Sequence, residues 1–158
     1  MAKNKGKQFE KVFESDFKGT VGKCIDRLID VQGGYLGIRN ICDYVGYKKP
    51  SIFYLECKCH EGNTFPLSNF TQYDKLVVKV GEPGVRAGVV LWMIDHDKVL
   101  YLPVSFFTYL KENNYKSFNI KMLRDDNLKQ MFVEIPSSKK RVFMESDYSI
   151  LTTLEDGF

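Results

Sequence analysis

The chain has 158 residues, 44% of them hydrophobic, with 23 Lys and Arg against 20 Asp and Glu, a formal net charge of +3. That length fits one domain with a globular core, and wholesale disorder is excluded. No apolar run approaches the roughly 20 residues needed to cross a bilayer, so no membrane partner is expected, and a net charge this small permits nucleic-acid binding without identifying it.

The start, MAKNKGKQFEK, is basic with no apolar stretch behind it; it does not read as a secretory signal, and residues 1–6 read as a flexible basic arm. Residues 6–18 carry Phe9, Val12, Phe13 and Phe17 at helical spacing. Glu10 shares the face of Phe13 and Phe17, so it is either solvated at the edge of the core or directed into a site beside it. Residues 19–41 mix glycines with a short apolar segment; a short helix or turn is predicted near 22–30, then an irregular connection. From residue 41 the pattern turns to strands. Residues 41–44 lead into a turn at Lys48-Lys49-Pro50, and residues 51–59 read as a buried strand bounded by Pro50 and Glu61-Gly62-Asn63.

Residues 68–80 place Phe70, Tyr73, Leu76, Val77 and Val80 at helical spacing, with Ser68 or Asn69 as N-cap. Strands are predicted at 87–94 and 99–103 around a turn at Asp95-His96-Asp97-Lys98, then a short helix at 104–112. A further strand pair is predicted at 130–135 and 141–145. The four cysteines, Cys24, Cys42, Cys57 and Cys59, read as reduced thiols of a cytoplasmic protein. Cys57 and Cys59 form C-x-C inside an apolar strand, which suits core thiols better than a zinc knuckle. The sum is an α/β domain around a mixed sheet, a single unit spanning residues 1–158.

The period of two in the strand at 51–59 carries the chemistry. Phe53, Leu55, Cys57 and Cys59 point to one face; Ile52, Tyr54, Glu56 and Lys58 point to the other. A carboxylate and an ammonium in a buried strand need a reason, because an unpaired buried charge costs several kcal/mol. An ion pair open to water at a sheet end is one reason. The other adds Asp43, thirteen residues upstream: two hard oxygen ligands and a cation converge, which suits Mg²⁺ (or Mn²⁺) and leaves room for phosphate oxygens. The Cys57 carbonyl, between Glu56 and Lys58, is a further candidate ligand. Lys58 would orient or deprotonate the attacking water, or stabilise charge on the phosphate.

GKQFEKVFESD at 6–16, CDYVGY at 42–47, FYLECKC at 53–59, FPLSNF at 65–70, GVRAGVVLWMIDHDKVLYLP at 84–103 and KSFNI at 116–120 together resemble the RecU-like Holliday-junction resolvases, particularly their shorter phage forms. These belong to the restriction-endonuclease-like PD-(D/E)-x-K superfamily. The resemblance implies a restriction-endonuclease-like core, a mixed central β-sheet flanked by helices. It implies that Asp43 and Glu56 are metal-binding carboxylates, Lys58 the catalytic lysine, and Glu10 the acid on the first helix. It also implies a polar residue on the helix after the Glu-x-Lys strand, either Gln72 or Asp74, of which Gln72 is our choice as metal ligand. Two positions depart from the family: Ile41 stands where cellular forms have Thr, and Cys42 where the superfamily has Pro.

The resemblance further implies a homodimer that makes paired symmetric nicks in a four-way junction, and a stalk-like insertion at about 28–41. Arg27 and Arg39 in or beside that insertion, Lys48 and Lys49 on the loop between Asp43 and Glu56, and Lys116 are the candidate DNA-binding residues. Lys121 and Arg124 follow Lys116 in the same basic stretch. A role in DNA recombination and repair or in phage DNA debranching, within a bacterial cytoplasm and encoded by host or phage, comes from the resemblance alone. Three rival readings remain at this point: a nuclease of the same superfamily acting on other branched or duplex DNA, a non-catalytic DNA-binding module, and an interaction protein whose acidic-basic strand pair is structural.

Overall fold

The computed structural model describes residues 2–29, 39–155 and 157–158. Helix α1 (Ala2–Thr20) turns Phe9, Phe13 and Phe17 into the core, as their spacing requires. It begins at Ala2, so residues 2–6 are helical where a loose arm was expected; Lys5 pairs with Glu61 at 3.2 Å and ties this first part of the helix to the body. Strand β1 (Ile25–Arg27) lies where a short helix or turn was predicted. Its one buried residue, Ile25, packs beneath α1, and its backbone pairs antiparallel with β2 (Tyr44–Lys48). The stalk-like segment expected at 28–41 lies for the most part outside the described residues.

Strand β3 (Ser51–His60) pairs antiparallel with β2 and parallel with β5 (Val85–Met93). β6 (Lys98–Pro103) and β8 (Val133–Ile135) extend the sheet in antiparallel fashion, in the order β1-β2-β3-β5-β6-β8. This is the mixed sheet the sequence led us to expect. The parallel β3–β5 pair needs a crossover. It is made by β4 (Thr64–Pro66), a 3-10 turn at Leu67–Asn69, helix α2 (Tyr73–Val77) and a second 3-10 turn at Lys79–Gly81. The helix predicted over 68–80 is therefore a single short α-helix between tighter turns. Ser68 and Asn69 sit inside the first of those turns, and the N-cap is Gln72, without a side-chain cap bond. β-Branched Val77 and Val78 favour helix propagation poorly.

Helix α3 (Val104–Glu112) falls where predicted, and β7 (Ser117–Asn119) pairs with β4. The predicted pairing of 130–135 with 141–145 does not form. β8 joins the main sheet beside β6, while β9 (Ser137–Lys140) and β10 (Phe143–Ser146) make their own hairpin. Pro136, which has no N–H to donate, separates the two sheets, and Arg141 turns the hairpin with φ 47°. Among the described residues no helix is long and apolar enough to cross a membrane.

The sheet is covered on both faces. On one, α1, the β9–β10 hairpin and the C-terminal 3-10 segment Tyr148–Thr153 pack on Phe53, Leu55, Cys57, Val90, Trp92 and Tyr101. Phe13 is the centre of this layer, with its ring 5.1 Å from Tyr44 and 5.0 Å from Tyr148. On the other face, Leu76 of α2, Phe106, Phe107 and Leu110 of α3, Phe65 of β4 and Phe118 of β7 pack on Val89, Leu91, Leu100 and Leu102.

Candidate active site

Alternation along β3 sends Phe53, Leu55 and Cys57 to the α1 side, and Tyr54, Glu56 and Lys58 to the side covered by α2 and α3. Glu56 is only 2% exposed. The β2–β3 ladder ends at the pair Tyr44–Leu55. One residue before Tyr44, where β2 has left the sheet, Asp43 comes level with Glu56. Its Oδ2 accepts a hydrogen bond from the Cys57 N–H at 2.8 Å. A strand residue directs its N–H and C=O to the same edge, so the Cys57 carbonyl also faces the gap left by β2. Through this gap Glu10, from the helix on the opposite face of the sheet, comes within electrostatic reach of Asp43, Glu56 and Lys58. Tyr44 fixes the helix there: its hydroxyl donates to the Glu10 carbonyl at 3.1 Å and contacts Glu14 Oε2 at 3.3 Å.

Three carboxylates in one place repel each other, and the titration of the group records it. Burial pushes the Glu56 carboxyl up to about 7, and the neighbouring Asp43 charge adds to the rise against the opposing pull of Lys58. Glu10 is raised for the same reasons, burial first and Asp43 second, with Arg27 and Lys58 opposing. Burial works against the Lys58 ammonium, but Glu56, Asp43 and Glu10 outweigh it and hold its pKa above that of an ordinary lysine. Lys58 Nζ lies 2.9 Å from Glu56 Oε1. Arg27 Nη2 lies 2.5 Å from Glu10 Oε2, an ion pair without hydrogen-bond alignment.

The donor set fits a hard divalent cation in its chemistry. It is all oxygen, and Glu56 Oε2 is buried with no hydrogen-bond partner. It is not a ready-made cage: among the described residues no three of His, Cys, Asp and Glu are arranged to hold a metal ion. Arg27 and Lys58 lie against two of the carboxylates and take the place of a cation.

The other predicted site residues are placed as follows. Arg27 lies on β1, paired with Glu10 and not loose in a loop. Arg39 is exposed, and its carbonyl accepts from Lys75 Nζ at 3.3 Å. Lys48 and Lys49 lie at the far end of the β2–β3 hairpin from the carboxylates, beside Ser51. Five residues of strand, about 16 Å, separate that end from Glu56. Gln72 is the N-cap of α2; its Oε1 accepts from the Thr71 hydroxyl at 3.0 Å, and among the described residues no hydrogen bond or ion pair ties it to the carboxylates. Asp74 is exposed. Lys116 is exposed just before β7. Two residues were overlooked. Lys79 stands over the Tyr54 ring at 5.8 Å, and Lys75 reaches the segment leading to Asp43. Their spacing of four, one helical face, was the available signal.

No family model matches the chain, and no curated protein matches it. Among solved structures the chain is similar to Hjc from Archaeoglobus fulgidus, a Holliday junction resolvase from an archaeal hyperthermophile. The two share 16% sequence identity and a TM-score of 0.56, over 82% of this chain and 95% of that one. Likeness at that identity speaks for the fold: a central mixed sheet flanked by helices, as in Hjc, with the carboxylates and Lys58 at the edge where β2 parts from β3.

Proposed function

We propose that the chain is a metal-dependent endonuclease that resolves four-way DNA junctions by paired symmetric nicks, working as a homodimer on branched duplex DNA. The observation that carries this reading is the convergence of Glu10, Asp43, Glu56 and Lys58 at one split strand edge, in a fold it shares with a junction resolvase. The resemblance to phage-type RecU-like resolvases supports the finer placement in recombination, repair or phage DNA debranching, within a bacterial cytoplasm.

Asp43, Glu56 through its unpartnered Oε2, and the Cys57 carbonyl are the residues that would hold Mg²⁺ or Mn²⁺, with Glu10 beside them and Gln72 as a further ligand from α2. When bound, the ion supplies Lewis-acid polarisation of the scissile phosphate and a more acidic water. Lys58 does not serve as a proton acceptor in this reading. Its neighbours keep it an ammonium, so its part is to neutralise charge that builds on the phosphate oxygens. Arg27, half exposed beside Glu10, adds a second cation at the phosphate. Arg39, Lys48, Lys49 and Lys116 contribute to holding DNA outside the site. Recognition of a branched shape through phosphates needs no base contacts.

Four-way junction, flap and plain duplex substrates, incubated with the protein in Mg²⁺ or Mn²⁺, test the reading. Symmetric paired nicks in the junction, lost in Lys58→Ala, are expected. A wild-type protein that leaves junctions intact in both metals overturns it, and preference for flaps or duplex replaces it with another nuclease specificity.

A further inference from the structure

A cavity of about 490 Å³ opens away from the carboxylates, between the β5–β6 turn and the 3-10 segment Ile120–Arg124. Lys98, Lys121, Arg124 and His96 line it, with Ile120 and Leu123 forming an apolar wall. Only one carboxylate, Glu134, enters, and it is committed to Lys98 in an ion pair of 2.5 Å. Lys121 and Arg124 are exposed and make no ion pair among the described residues. At three residues per turn they stand one above the other on the 3-10 segment. The acids that follow them in sequence are engaged elsewhere: Asp125 Oδ1 accepts from the Asn127 and Leu128 N–H groups, and Asp126 pairs with Lys129. His96 is held at the rim, its Nε2 donating to Asn63 Oδ1 at 2.7 Å. Two uncompensated cations and an imidazole thus share one hollow.

The register of the sheet relates this hollow to Lys58. Lys58 pairs with Leu91, Leu91 with Leu100 and Leu100 with Glu134; one step along, His60 pairs with Met93 and Met93 with Lys98. Residues paired across strands point to the same face, so Lys98 and Glu134 rise from the same face of the sheet as Lys58. With strands about 4.8 Å apart and about 3.3 Å per residue, Lys98 and Glu134 lie roughly 12–14 Å from Lys58 between Cα atoms. That span is at most about four nucleotides of duplex rise.

We infer that this basic hollow is a second phosphodiester-binding site, which grips the DNA backbone within about four nucleotides of the phosphate presented to Lys58. The inference rests on the nuclease reading above and adds a contact to it: one phosphate is seated at the carboxylates while Lys121 and Arg124 seat another, fixing the direction of the strand between the two.

Binding of the full chain to a four-way junction in EDTA, measured over a range of salt, tests this without any need for cleavage. Lys121→Ala/Arg124→Ala removes two exposed cations that hold no structure. It is expected to weaken binding and to make the slope of log K against log salt shallower by about 1 to 2, at roughly 0.9 per phosphate contact. A control that removes the same charge at the far end of α1, Lys18→Ala/Lys23→Ala, is expected to keep the wild-type slope. Single uncharged methylphosphonates walked along the nicked strand are expected to weaken the wild type at one position near the nick and to leave the double variant unaffected there. A double variant with wild-type affinity and slope, or a control that loses as much, overturns the site alone. A wild-type protein that ignores branched DNA while inorganic phosphate shifts the His96 ring resonances overturns it as a DNA contact. Wild-type failure to bind the junction sinks the nuclease reading with it.

Discussion

Glu56 is a carboxylate kept out of water in the company of Asp43 and Glu10, and its protonation is coupled to folding. Its pKa is about 7 in the folded chain against an ordinary value of 4.5. The folded state therefore holds this proton more tightly than the unfolded one. The associated stability is fully present below about pH 4.5 and is lost as pH rises through 7, on the order of 3 kcal/mol. Glu56→Gln keeps the shape and removes the titration. In EDTA its melting temperature should exceed that of the wild type at pH 8 and match it near pH 4.5; melts across that range check the sign. Mn²⁺ reverses the order, since an ion that binds only the folded wild type raises its stability, and the glutamine variant should gain less. Glu56 and Lys58 were legible in sequence because a period of two puts charge on one face of an apolar strand, whereas Asp43, just outside β2, was singled out by its spacing of thirteen residues from Glu56. The Arg27–Glu10 ion pair was not, since it joins a three-residue strand to a helix across a segment with no regular pattern.

The elements that carry the site differ in how much of their stability the chain declares locally. β3 and β5 are long and apolar, and both were readable; α1 showed itself through Phe9, Phe13 and Phe17. Phe13 is fully buried between Tyr44 and Tyr148. Phe13→Ala should cost about 3–5 kcal/mol, measured by urea unfolding, and should loosen the helix that presents Glu10. The β5–β6 hairpin is tighter than its sequence suggests. A Cβ at Gly88 would collide with the Leu102 carbonyl oxygen and lie 2.8 Å from Pro103 Cα. Both are backbone atoms that cannot swing aside. Gly88→Ala should destabilise by about 1–3 kcal/mol or more, with the loss seen as a lower urea midpoint at unchanged slope. β1 and β9 escaped the sequence reading for a common reason: each has three or four residues and few buried side chains, so pairing and not periodicity makes them strands. The crossover failed differently. Its apolar spacing was helical, but only the stretch Tyr73–Val77 winds as an α-helix, with 3-10 turns at Leu67–Asn69 and Lys79–Gly81 to either side, the second of them docked onto β5.

At the scale of the whole molecule, the described residues of one chain offer one such carboxylate cluster, and under the proposed function one cluster cuts one strand. Resolving a four-way junction takes two cuts in strands related by the two-fold axis of the junction, so the proposed function requires a second copy related by the same symmetry. This requirement separates a resolvase from a nuclease that merely tolerates branches, and it is accessible through the intact Lys58→Ala chain. That chain should keep the fold, since Lys58 is partly exposed and its partner Glu56 can take up a proton once the ammonium is gone, and it keeps the basic residues proposed to hold DNA. Mixed with wild type in large excess, it leaves nearly every wild-type chain with an inactive partner. On a supercoiled plasmid bearing an extruded cruciform, wild type alone should give linear product, from two nicks made before the junction is released. The mixture should give nicked circles, because the single competent site cuts once and the relaxed plasmid reabsorbs the cruciform. If wild type alone accumulates nicked circles at every protein concentration, the two cuts are uncoupled. The molecule is then a structure-selective nickase built on the same sheet edge.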